Sequence, residues 1–393
     1  MLLSLRSKIT VALAFALGCG GLLHLVNANA TSIAVPAPLT ALPPQPNGVP
    51  YPTKSWQRQA LPSDTSAKLN PIIDKAFNGQ IPEIGETRAL LIVKGGKIIV
   101  ERYGVGFDAE SKLLSWSMAK SITSAVFGAM LGDGKVTYET PIADPHWRET
   151  DDRYKITYGQ ALRMTDGLNW RESDYSQPTT NDAAIMLFGD GREDIVKYVT
   201  TRPKKYKAGE VWNYSSGTTN LIAAGLSRKM GPRTIEDPTG KERFREYLFD
   251  RIFLPIGMNN TAAEFDASGN FYGSSLVYAS AQDFARFGLL FLRGGVWDGK
   301  AILPRSFVDY VRTPTLAKGA TEYGAHWWLS TENHRGFLKN GPYDSFEARG
   351  HEGQVILVIP SKDMVVVRLG LMDHEQSWDK LGEYLSQVIA AIP

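Results

Sequence analysis

The chain has 393 residues, with 43 basic against 41 acidic side chains, six histidines and a single cysteine. A near-neutral balance without basic runs gives nothing to track a phosphate backbone, so nucleic acid is not expected as a partner. One cysteine excludes internal disulfides and cysteine metal clusters, and scattered histidines without a His-Glu-x-x-His motif point to no metal and no cofactor.

The N-terminus reads as a secretory signal, residues 1–30. Arg6 and Lys8 give a basic start, Ile9 to Val26 is almost wholly apolar, and Ala28-Asn29-Ala30 supplies small residues for cleavage. The rival reading is a membrane anchor, because the apolar run approaches bilayer-spanning length; membrane is then a partner only if this segment stays uncleaved. Lipidation at Cys19 is a third reading. Cleavage after Ala30 takes Arg6 and Lys8 away, leaving 41 basic and 41 acidic residues and no thiol. An exported chain of this kind, periplasmic or secreted, must stand on its hydrophobic core, and its length allows a large one.

Residues 31–64 are rich in proline, including Pro43, Pro44, Pro46, Pro50 and Pro52. That composition predicts a linker, either an extended tether or a strap over the surface. The folded domain is expected over 65–393. It opens with a helix around Ala67 to Phe77. A hairpin follows, Ala89 to Val93 and Ile98 to Tyr103 around a Lys94-Gly95-Gly96-Lys97 turn.

Leu114-Ser115-Trp116-Ser117-Met118-Ala119-Lys120 comes next, as an apolar helix begins. Residues three apart share a helix face, so the Lys120 amine can reach the Ser117 hydroxyl and relay its proton. A helix N-terminus adds unpaired N–H groups for a developing oxyanion. The pattern is that of Ser-Lys acyl-transfer enzymes.

Helical patterns then run from Ser117 to Leu131, Thr157 to Met164, Asn181 to Leu187, Gly217 to Arg228, Lys241 to Phe253 and Ala281 to Leu292. Within them, Trp212-Asn213-Tyr214-Ser215-Ser216-Gly217 puts a tyrosine on a small-residue turn before a helix. A phenol beside a lysine ammonium is expected to fall below its usual pKa of about 10 and to serve as base and then acid. The plain alternative is a buried core tyrosine with its hydroxyl satisfied.

Gly350-His351-Glu352-Gly353-Gln354 leads into a second strand pair, Val355 to Ile359 and Met364 to Leu369. Gly353 is expected to allow close approach of substrate, the Gln354 N–H to donate to an oxyanion, and His351 to contact substrate or Tyr214. A hairpin turn with a surface histidine explains the same residues. A second Ser-x-x-Lys, Ser377 to Lys380, has no partner motif and reads as a capping or surface serine. Strands at both ends with helices between predict one antiparallel sheet built from both termini. A helical region is inserted across it, leaving a cleft for a small ligand.

At these residues the chain resembles the serine β-lactamase and penicillin-binding protein superfamily, in its class C-like branch. That branch includes D-alanyl-D-alanine carboxypeptidases, esterases and 6-aminohexanoate-dimer hydrolases. Its Ser-x-x-Lys falls on Ser117 and Lys120, its Tyr-x-Asn on Tyr214-Ser215-Ser216, and its Lys/His-x-Gly on His351-Glu352-Gly353. The resemblance extends through Ile156 to Leu168, Phe253 to Met258 and Ala279 to Arg286.

It implies an α/β (α+β) β-lactamase-like fold and a serine hydrolase using Ser117, Lys120 and Tyr214. Ser216 and the aromatic residues Trp170, Tyr175, Trp327 and Trp328 are placed around the substrate, unless those aromatics are ordinary core. Ser216 stands where the family often has asparagine, and His351 replaces the lysine that holds a β-lactam carboxylate. The combination looks more like the esterase and 6-aminohexanoate-dimer hydrolase members, with a small-molecule ester or amide as substrate. The alternatives are a D,D-peptidase or β-lactamase, and a non-catalytic cell-wall binding protein on the same scaffold. No Gly-x-Ser-x-Gly is present to suggest an α/β-hydrolase elbow.

Overall fold

The structure, a computed structural model, describes residues 38–172, 177–231, 234–320, 322–330, 336–373 and 377–393. The expected leader over residues 1–30, with Cys19, lies outside them, as does Tyr175. Six strands build the main sheet: β1 (Glu86–Lys94), β2 (Lys97–Tyr103), β3 (Trp328–Leu329), β4 (Phe346–Gly350), β5 (Gln354–Ile359) and β6 (Met364–Leu371). Among the described residues ten α-helices accompany them: α1 (Ser63–Phe77), α2 (Met118–Gly132), α3 (Tyr158–Leu162), α4 (Asp182–Phe188), α5 (Ile195–Thr200), α6 (Ser216–Lys229), α7 (Lys241–Leu248), α8 (Ala281–Leu292), α9 (Arg305–Val311) and α10 (Trp378–Ala390).

The strand order is β2-β1-β6-β5-β4-β3, with antiparallel neighbours. The two ends of the chain meet where β1 pairs with β6, Leu91 opposite Val367. Successive side chains of a strand face opposite ways, so a strand covered on both faces is apolar at nearly every position. Ala89, Leu91 and Val93 of β1 enter one core with Ile356, Val358, Val365 and Val367, under α2 and α8. Leu90 and Ile92 enter the other with Val355, Leu357 and Val366, under α1 and α10. Each such Leu, Ile or Val removed from water contributes roughly 1.5–3 kcal/mol. That gain sets the register, because a one-residue slip exchanges the faces.

Gly288 of α8 explains how closely that helix lies on the sheet: a Cβ there would come 2.6 Å from Val365 and 2.9 Å from Ile356. The long helix expected over 241–253 ends at Leu248 and widens into a π turn over Phe249–Phe253. Pro255 follows, and its ring would strike the carbonyl four residues back in an α-helix. Ser377 caps α10, accepting from the Lys380 N–H at 3.2 Å, which is the role read for the second Ser-x-x-Lys.

The described part of the proline-rich segment is a strap rather than a free tether. Arg286 donates to the Pro52 carbonyl at 2.8 Å, Arg293 to that of Pro43 at 3.2 Å and Arg312 to that of Thr40 at 2.6 Å. Backbone hydrogen bonds between Gln57, Gln59 and Ile98 cover the outer edge of β2. Among the described residues, no helix is long and apolar enough to cross a membrane.

Candidate active site

The site starts at a forced turn. The Ser115 N–H donates to the Val277 carbonyl at 2.8 Å and its hydroxyl to that of Ser275 at 3.2 Å, which holds the approach to α2. Trp116 then takes φ +45°, a left-handed conformation that a bulky residue adopts only under constraint. Its indole N–H donates to the Glu352 carboxylate at 2.8 Å, and its ring meets His351 edge-on at 5.3 Å. Ser117 opens α2 without capping it by its side chain. The hydroxyl instead accepts from the Lys120 amine at 2.9 Å.

Lys120 is 1% exposed. Besides Ser117, its amine donates to the Ser216 hydroxyl at 2.8 Å and the Ser274 carbonyl at 3.2 Å. Burial lowers its pKa to about 8, against a smaller upward pull from Glu172. The amine lies 4.8 Å from the centre of the Tyr214 ring. Ser215 caps α6 by accepting from the Thr218 N–H, which sets Tyr214 just ahead of that helix.

The Lys120 amine thus stands 2.9 Å from the Ser117 hydroxyl and against the Tyr214 ring, so the structure brings the three expected residues together. The acidity of Tyr214 runs opposite to expectation. Burial, reinforced by Glu172, drives the phenol pKa upward, with Ser117 and Arg349 opposing. The expected depression by the lysine is therefore corrected. Burial and the nearby Glu172 carboxylate disfavour a phenolate more than Ser117 and Arg349 can offset.

Glu172 is the residue that sequence reasoning missed. Its buried carboxylate accepts from the Trp170 indole at 2.7 Å, the Ser216 N–H at 2.6 Å and the Ser216 hydroxyl at 2.6 Å, 4.0 Å from the Lys120 amine. An acid four residues past a Leu168 that ends a family-like segment was the available signal.

This network revises three expected pocket residues. Ser216 is 1% exposed and committed to Lys120 and Glu172, so it presents nothing to a substrate. Trp170 is 4% exposed and stands behind Glu172, against Gly217, where a Cβ would come 2.7 Å from the ring. Trp327 has no exposed surface and packs on Phe291 and Phe346, because successive residues of an extended segment point to opposite sides. Its neighbour Trp328 is the one beside the site, with ring centres 5.5 Å from Tyr214 and 5.0 Å from Tyr323.

The glycine-rich motif forms the turn between β4 and β5. Gly353 holds φ +79°, and a Cβ there would come 2.4 Å from the Arg368 guanidinium, so its role is structural. Gly350 is the one that lets the sheet approach the serine: a Cβ would come 2.2 Å from the Ser115 carbonyl oxygen. Gln354 opens β5 opposite Gly350, and its buried side chain binds Gly370 in both directions, at 2.8 and 3.0 Å. Its side chain is thus closed to a substrate. His351 is half-buried beside Trp116. Phe188, 59% exposed and edge-on to Trp116 at 6.3 Å, forms an apolar lip that the sequence did not suggest. Among the described residues, no group of three or more His, Cys, Asp or Glu side chains is placed to hold a metal ion.

The profile of the Beta-lactamase family matches residues 84–382. The 6-aminohexanoate-dimer hydrolase of Paenarthrobacter ureafaciens is 26% identical over 345 residues, spanning 81% of this chain and 82% of that one. A solved structure from Bacillus anthracis superposes with a TM-score of 0.66 at 20% identity, covering 88% of this chain and 90% of the other. A family VIII carboxylesterase superposes with a TM-score of 0.62 at 12% identity, covering 83% and 98%. The last two likenesses are of fold.

Proposed function

The chain belongs to the beta-lactamase family and is a serine hydrolase, and from that premise we propose that it cleaves an ester or amide through an acyl-enzyme on Ser117. The observation that carries this reading is the 2.9 Å contact between a buried amine and the hydroxyl at the head of α2. An amine whose pKa is near 8 is partly neutral at physiological pH, so it can accept the serine proton.

Ser117 Oγ attacks the carbonyl carbon while its proton passes to Lys120 Nζ. The oxyanion is assigned to the backbone N–H groups of Ser117 and Gln354. Tyr214, kept protonated by its surroundings, gives its proton to the departing alkoxide or amine as the carbonyl re-forms, and recovers one from Lys120. Water then attacks the acyl-enzyme along the same path in reverse.

The substrate class proposed is an ester or amide with apolar groups around the scissile bond, of the kind an esterase or a 6-aminohexanoate-dimer hydrolase takes. Supporting it are the Tyr214–Trp328–Tyr323 aromatic wall, the Trp116–Phe188 lip, and a half-buried histidine where β-lactamases have a carboxylate-binding lysine. The test is a substrate panel of p-nitrophenyl acyl esters, aminohexanoate oligomers and a chromogenic cephalosporin. A burst of p-nitrophenol with slow cephalosporin turnover supports the reading. Cephalosporin turnover exceeding that of every ester and oligomer overturns it in favour of a β-lactamase.

A further inference from the structure

Three hydrogen-bond partners surround the Lys120 amine, and two of them can only accept from it. The Ser274 carbonyl, 3.2 Å away, has no proton to give. The Ser216 hydroxyl, 2.8 Å away, has one proton, and that proton is committed to Glu172 Oε1 at 2.6 Å. A neutral amine has two protons and one lone pair. With both protons drawn to Ser274 and Ser216, the lone pair is left toward the third partner, Ser117 Oγ, at 2.9 Å. The direction of the hydrogen bond through Ser216 therefore decides whether Lys120 can act as a base toward Ser117.

Resting on the serine-hydrolase reading above, we propose that Glu172 is a positioning residue: by taking the Ser216 proton, it makes Ser216 an acceptor and aims the lone pair of Lys120 at Ser117. Its two oxygens take different donors. Oε2 receives the Ser216 N–H at 2.6 Å and the Trp170 indole N–H at 2.7 Å, which leaves Oε1 for the Ser216 hydroxyl. The carboxylate is buried, so water does not substitute for it cheaply.

The replacement Glu172→Gln has nearly the same shape and inverts the chain. The two N–H donors claim the new amide oxygen, so the amide NH2 turns to Ser216 and donates to its hydroxyl. Ser216 then turns its own proton onto the Lys120 lone pair, in competition with Ser117. Ser216→Ala removes the relay without adding a competing donor. The isosteric change is therefore the more harmful of the two, and it loses its effect once Ser216 is gone.

The experiment is the rate of Ser117 labelling by a fluorophosphonate in the full-length protein, with melting temperatures followed alongside. Glu172→Gln is expected to slow labelling by about a hundredfold and Ser216→Ala by about tenfold, with the double variant matching Ser216→Ala. Wild-type labelling in Glu172→Gln, or a double variant showing the product of both losses, overturns the proposal. If Glu172→Gln fails to fold, Ser216→Ala decides alone, and wild-type labelling by it has the same force. A wild-type protein that takes no label removes both readings, whereas a labelled wild type with unaffected variants removes only this one.

Discussion

Trp116 and Glu352 both hold left-handed backbone, at φ +45° and +62°, and are joined by a hydrogen bond of 2.8 Å from indole to carboxylate. The strained residue before the nucleophile is thus clamped by the strained residue in the turn between β4 and β5. Two distant segments are locked at the point where they meet.

Breaking that clamp is expected to cost activity more than stability. Glu352→Ala removes a charge-assisted acceptor worth roughly 1.5–3 kcal/mol and frees Trp116 to leave its strained conformation. Fluorophosphonate labelling of Ser117 should slow by about tenfold, while strain released at Trp116 offsets part of the lost hydrogen bond and limits the fall in melting temperature. Unchanged labelling would show that the clamp does not position the serine.

Gly350→Ala tests the same approach from the sheet side. A Cβ 2.2 Å from the Ser115 carbonyl oxygen requires the backbone to move, and overpacking of this kind costs about 1–3 kcal/mol. The variant is expected to melt earlier and to acylate poorly. Gly353→Ala, which strains a left-handed turn against Arg368, is expected to melt earlier as well.

The pH profile follows from Lys120. Its pKa in the folded protein is near 8, and the base is its neutral form. The kcat/KM for a p-nitrophenyl ester should therefore rise through about pH 8 and level off above it, while Tyr214 stays protonated across the range. A profile that falls between pH 7 and 9 contradicts Lys120 as the base.

His326 predicts acid sensitivity of the fold. It is 2% exposed, accepts from Thr219 at 2.9 Å and donates to the Leu162 carbonyl at 2.9 Å; burial lowers its pKa to about 3. The unfolded chain binds a proton below the ordinary value near 6.5, and the native one does not until far lower. This site's contribution is therefore intact above pH 6.5 and falls as pH drops toward 3, by up to about 1.4 kcal/mol per unit. His326→Asn, which tolerates the φ of +62°, should flatten that part of the urea-midpoint profile. An unchanged slope would assign the acid sensitivity to other groups.

Much of this architecture is legible in the sequence because it rests on local rules. Continuous apolar runs in β1, β5 and β6, a small-residue turn before α6, and the three-residue spacing of Ser117 and Lys120 are all short-range patterns. What escaped depends on which distant segments touch. Glu172 acquires meaning only beside Ser216, 44 positions away, and the sign of the Tyr214 shift depends on how dry its surroundings are. Trp327 and Trp328 are adjacent identical residues, and composition does not say which faces the cleft. The β4 strand was missed because Phe346-Glu347-Ala348-Arg349-Gly350 buries Glu347, which breaks the apolar pattern used to find strands.

Peptide mapping by mass spectrometry after fluorophosphonate treatment tests the central claim most directly. The adduct is expected on Ser117 alone, absent from Ser117→Ala and formed at least about a hundredfold more slowly in Lys120→Ala. Labelling of Ser117→Ala at the wild-type rate, or an adduct on a different serine, would contradict it.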